Sequence, residues 1–193
     1  QDHYDILVFA NRNTNTSTIP DFIETIGSFS FNYCINLHEI DISNNQKLRI
    51  IDENAFSYSS ITKISISSHV ERIGEKAFYS CQNLIKVVIP PNSLLRTIEK
   101  EVFYGSSIES ISIPSSITKI GEEAFSVCQN LVNVEIPNDS ELLIIESRTF
   151  YESSITKFSF PSHLIKIGEK AFARSRLLRI DIPNNSELQI IDE

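Results

Sequence analysis

The sequence predicts a repeat solenoid, mainly β, in which parallel strands stack one per coil of about 23 residues and are joined by turns or single helical turns. Three observations predict it. The 193-residue chain repeats with a period of 47: residues 61–107 align without gaps on 108–154, and 14–60 align less closely on both. Each copy halves again, because Phe recurs at Phe31, Phe56, Phe78, Phe103, Phe125, Phe150 and Phe172 with spacings of 25 and 22 in alternation. A short alternating apolar run recurs in the same rhythm, ending at Ile42, Ile66, Ile89, Ile113, Ile136, Phe160 and Ile182, with Ile19 before Pro20 opening the series.

The first element of each coil is that run. It reads LHEIDI from 37, ITKISI from 61, LIKVVI from 84, IESISI from 108, LVNVEI from 131, ITKFSF from 155 and LLRIDI from 177. Alternation over its second half marks a half-buried strand. Pro or Ser usually follows, and Pro cannot donate to a β-ladder, so the strand ends there. Next come a turn and a second apolar pair, as in PNDSELLII from 137, read as a short second strand or one helical turn. The coil closes on an Ala-Phe segment: IGSFSF at 26–31, IGEKAF at 73–78, IGEEAF at 120–125 and IGEKAF at 167–172. No such unit can bury its own apolar edge, so stacking must supply the core.

Composition agrees. The 31 Ile against 13 Leu, with 12 Phe and no Met or Trp, favour β-branched strand geometry. A net charge of -8 argues against a nucleic-acid partner and an anionic membrane surface, both of which select clustered Lys and Arg. The longest apolar stretch near the start, residues 6–10, is too short to span a bilayer. The missing Met makes residue 1 a processed or excised start, and the last residues, IIDE, match the middle of earlier coils, so the chain reads as cut inside a longer array. Exposed solenoid ends would then favour self-association.

The combination I-G-x-x-A-F, C-x-x-L and strand-Pro, repeated every 23 to 24 residues, resembles the BspA-like leucine-rich repeat family of bacterial and protist surface proteins, with Ile replacing most Leu. The resemblance covers residues 14–193 as an array of about eight coils, leaving 1–13 as an N-terminal strand or cap segment. It implies a leucine-rich-repeat superhelix at the cell surface or secreted, a non-enzymatic module that attaches to host or matrix proteins or to other cells. The alternative is a cytoplasmic scaffold or assembly repeat, compatible with unpaired thiols.

Chemistry-bearing residues fall into repeat columns. Cys34, Cys81 and Cys128 lie 47 apart, two coils or roughly 10 Å, beyond the reach of a disulfide. Ser59, Ser106, Ser153 and Ser175 hold the same place in the other coils, so both residue types read as small buried groups tying the turn to the coil. His69 and His163 share a column four coils apart and cannot share a metal. No catalytic spacing and no cofactor motif is present, so no enzyme, metal or cofactor is expected.

Function is therefore sought on the outward strand positions. One column holds Glu39, Lys63, Lys86, Ser110, Asn133, Lys157 and Arg179, and a neighbouring one Asp41, Ser65, Val88, Ser112, Glu135, Ser159 and Asp181. Two readings stand side by side: cross-strand charges that keep an exposed sheet soluble, or a polar protein-binding face contacted through Lys63, Lys86, Lys157 and Arg179. Ile85, Val88 and Val132 add outward apolar groups with two readings of their own, contacts that a partner covers or local sheet formers. N-x-S sequons at Asn15, Asn138 and Asn184 are candidate N-glycosylation sites, and the last two occupy the same post-strand turn.

Overall fold

The structure is a computed structural model that describes residues 6–7 and 15–192. It forms a three-sided solenoid. The first side carries the three-residue strands β2 (Thr16–Thr18), β4 (Glu39–Asp41), β6 (Lys63–Ser65), β8 (Lys86–Val88), β10 (Ser110–Ser112), β12 (Asn133–Glu135), β14 (Lys157–Ser159) and β16 (Arg179–Asp181). The second side carries two-residue strands: β1 (Ile6–Leu7), β3 (Thr25–Ile26), β5 (Ile50–Ile51), β7 (Arg72–Ile73), β9 (Thr97–Ile98), β11 (Lys119–Ile120), β13 (Ile144–Ile145), β15 (Lys166–Ile167) and β17 (Ile190–Ile191). Strands of both sets pair in parallel with the next coil, as in Ser110↔Asn133 and Lys119↔Ile144, except that β7 and β9 on the second side and β12 and β14 on the first belong to separate sheets. The second apolar pair is thus a strand, and no helix occurs among the described residues.

The expected boundary between residues 13 and 14 lies outside the described residues. Ile6–Leu7, the described part of that segment, is a strand in register with Thr25–Ile26.

The third side is made of turns. Each coil bends at two residues four apart with φ near +55°, such as Asn54 and Tyr58, Lys76 and Ser80, and Glu123 and Val127. Gly105 is the one glycine among these sites. Left-handed backbone costs an L-residue about 1–2 kcal/mol, so something must hold these turns. Inter-coil hydrogen bonds do: the N–H groups of Asn54, Phe56 and Tyr58 donate to the carbonyls of Glu75, Ala77 and Tyr79 at 3.0, 2.7 and 2.8 Å. The same triplet repeats from coil to coil, so the turn side is itself a ladder.

Between the sides runs one apolar column. Phe31, Phe56, Phe78, Phe103, Phe125, Phe150 and Phe172 stack ring on ring at centroid distances of 4.8 to 5.4 Å. Burying such a side chain stabilises by roughly 1.5–3 kcal/mol, and each aromatic pair adds about 0.5–1.5 kcal/mol. Glycine appears where coils approach most closely: a Cβ on Gly121 would lie 2.8 Å from the Ile98 carbonyl oxygen and 2.9 Å from the Lys100 nitrogen. The final coil leaves Ile180 and Ile182 exposed, because no described coil covers their inward positions.

Candidate functional site

The outward strand columns form a continuous surface only in part. Strands β2 to β12 make one six-stranded sheet, while β14 and β16 pair separately. The interruption coincides with a change of inward residues from Ile or Val to Phe158 and Phe160, which pack against Phe172 at 5.0 and 5.9 Å. Lys63 and Lys86 are register partners on the larger sheet, and Lys157 and Arg179 on the smaller one. The four cations therefore form two pairs.

Their charges are not equivalent. Lys63 Nζ lies 2.7 Å from Glu39, which raises the Lys63 pKa by hydrogen bonding and charge attraction. Lys157 and Arg179 both bond Asp181, at 3.0 and 2.7 Å, and hold its carboxyl below the usual range. Such exposed ion pairs contribute at most about 1 kcal/mol to stability, but they do cancel net charge at the surface. Lys86 is the exception: among the described residues no carboxylate pairs with it.

Apolar groups flank Lys86. Ile85 and Val88 are 47% and 40% exposed, with Lys86 between them. Val132 is 52% exposed two coils further on, beyond Glu109, whose N–H bonds the Ile85 carbonyl. Where β8, β10 and β12 end, their last apolar residues and the prolines after them line an open recess of about 470 Å³. Ile89, Pro91, Ile113, Pro114 and Pro137 form its apolar walls, and Ser112 and Glu135 border the strands. The strand-Pro motif that marks the strand ends also builds this recess, which sequence reading did not single out. Asn15, Asn138 and Asn184 are all exposed, the last two in turns.

The cysteines are buried thiols. Cys81 donates to the Phe56 carbonyl at 3.0 Å and meets Ser59 Oγ at 3.6 Å; Cys128 repeats this with Phe103 and Ser106 at 3.1 and 3.5 Å. Burial pushes Cys81 up to about 12 and Cys128 to about 11, partly offset by those serine contacts. The Cys and Ser positions are therefore one column, alternating from Cys34 to Ser153 and ending on Ser175. His163 faces Glu187 at 3.4 Å and His69 faces Ser67, far from one another as expected. Among the described residues no cluster of three metal-ligating side chains occurs, and no helix is long and apolar enough to cross a membrane.

Comparison with known proteins agrees with the coil geometry. A family model described as a BspA type leucine rich repeat region matches residues 6–104 and 96–193. The chain is similar to a leucine-rich repeat protein from Eubacterium ventriosum, at 22% identity and a TM-score of 0.79, covering 91% of this chain and 47% of that one. It is similar to the pneumococcal vaccine antigen PcpA at 22% identity and 0.67, covering 93% and 58%. A leucine rich cell surface protein from Faecalibacterium prausnitzii aligns at 21% identity and 0.52, covering 92% and 60%. At such identities the likeness establishes the fold, and the chain spans about half to three-fifths of these proteins' lengths. No curated protein matches it. With its stacked coils, its Phe column and a family model that spans nearly every residue, the chain belongs to the BspA-type leucine-rich repeat family.

Proposed function

We propose that this chain is a non-enzymatic protein-binding module of a cell-surface or secreted protein, attaching to host or matrix proteins or to other cells. The observation that carries this reading is strand β8: Lys86, without an ion-pair partner among the described residues, stands between exposed Ile85 and Val88, and the strand runs into the proline-walled recess. Exposed apolar groups gathered beside a recess are a surface that partners cover, and the uncompensated Lys86 charge among them adds a polar contact. Two structural neighbours, one a cell surface protein and one a vaccine antigen, support a surface location for the module. The reduced cysteines do not oppose it, because thiols this deeply buried and this weakly acidic are inert in an oxidising compartment too. Antibody staining of unpermeabilised cells that express the parent protein tests the location, and capture on a panel of immobilised matrix proteins tests the activity. Absence of surface signal with strong signal after permeabilisation would favour the cytoplasmic scaffold instead.

A further inference from the structure

The turn side carries a ladder of tyrosines that the repeat motifs do not predict. Tyr33 stacks on Tyr58 at 4.6 Å, Tyr58 meets Tyr79 edge-on at 5.5 Å, and Tyr79 stacks on Tyr104 at 4.9 Å with 4° between the planes. Tyr79, Tyr104 and Tyr151 each follow a column Phe by one residue. The coil between Tyr104 and Tyr151 has Ser126 at that place, aligned with Tyr79 in the 47-residue repeat. One rung of the ladder is missing.

The gap is an open recess of about 400 Å³ lined by Tyr104, Glu123, Ser126, Arg148, Tyr151 and Lys170. Two coil steps separate its tyrosine walls by about 10 Å, twice the centroid distance of an aromatic contact, so one flat ring fits against both. Arg174, on the following coil, already stands over Tyr151 at 5.5 Å and bonds Glu152 at 2.9 Å. The rim is charge-balanced: Arg148 bonds Glu123 at 3.3 Å, and Lys170 pairs with Glu169. Burial, then the charges of Glu123 and Glu101, raise the Tyr104 pKa and keep its hydroxyl a donor.

These features select the ligand's chemistry. A cation meets Arg148 and Lys170, an anion meets Glu123, and a bare aromatic ring desolvates the rim without replacing its hydrogen bonds. A neutral ring with apolar faces and a hydroxylated edge satisfies both walls and rim. We propose that this recess is a carbohydrate subsite for one neutral hexopyranose unit, stacked between Tyr104 and Tyr151 and hydrogen-bonded at its edge by Glu123, Arg148 and Lys170. It lies on a different side of the solenoid from the strand face and stands independently of it.

The chain has 6 Tyr and no Trp, so tyrosine fluorescence reports on the ladder directly. The test titrates the 193-residue chain with the methyl glycosides of glucose, galactose and mannose. At least one should give a saturable change with a dissociation constant on the order of 1 mM, the range for a ligand of this size. Ser126→Tyr completes the ladder as Tyr79 does in its own coil, and should weaken binding at least tenfold while circular dichroism stays unchanged. Should that variant not fold, Tyr151→Ala replaces it, with the same loss expected. Overturning results are no saturable response to any of the three glycosides, undiminished binding in a folded Ser126→Tyr, or saturation by p-cresol where the glycosides give none.

Discussion

Replacing Phe103 by Ala is the most informative single change to the core. Its ring is 1% exposed and sits between Phe78 at 5.4 Å and Phe125 at 5.3 Å, in the middle of the column. Truncating a buried Phe to Ala costs about 3–5 kcal/mol, and in a chain this long each kcal/mol lowers Tm by roughly 2–4 °C. A drop of about 6–20 °C is expected. The stacking share can be separated from burial with Leu, which keeps most of the apolar volume and loses both ring contacts, for about 1–3 kcal/mol. Phe31→Leu supplies the comparison, because Phe31 has one stacked neighbour among the described residues, Phe56 at 4.8 Å, and should cost about half as much. Thermal and urea unfolding followed by circular dichroism read all three. In a one-dimensional array a central defect can also uncouple the halves, so the Ala variant should broaden or split the transition. Equal costs for Leu at positions 31 and 103, or an Ala cost under about 1 kcal/mol, would refute nearest-neighbour stacking as the source of stability.

Gly121→Ala should destabilise by about 1–3 kcal/mol, since the new methyl meets backbone that cannot rotate away, whereas Gly27→Ala, whose Cβ would lie 3.1 Å from the Ile6 side chain and the Leu7 oxygen, should cost less; thermal unfolding of the two variants checks the order. Cys81 and Cys128 should resist a thiol-specific reagent at pH 8 in the native protein and react on unfolding. Their raised pKa values give the sign of the pH effect: below the ordinary thiol value of 9.0 both folded and unfolded states keep the proton and the contribution is whole. As pH rises through 9 and on toward about 12 the unfolded thiols ionise first and that stability is lost. Replacing both residues with Ser should flatten the alkaline limb of the stability profile.

Repetition made most of the fold legible. Spacings of 25 and 22 between phenylalanines give the coil length, and alternation ending at Pro gives the strand and its inward face. The left-handed turns were not legible, because positions such as Lys76, Glu101 and Val127 carry none of the glycines that announce positive φ. Inter-coil hydrogen bonds hold them, and those exist only after stacking. The first outward column, from Glu39 to Arg179, is exposed throughout, but which lysine keeps its charge uncompensated depends on carboxylates one coil away or two residues along. The tyrosine ladder escaped notice for a related reason: Tyr33 and Tyr58 follow their Phe by two residues and Tyr79, Tyr104 and Tyr151 by one, so no single sequence column contains them.

The claim that strand β8 carries the contact face is tested most directly by capture of the purified chain on the immobilised matrix panel. Three proteins are compared: the unaltered chain, a Lys86→Glu, Val88→Glu double variant, and a Lys166→Glu control on the second side of the solenoid. The unaltered chain and the control should be captured, and the double variant should lose at least tenfold. Equal capture by all three proteins would contradict it.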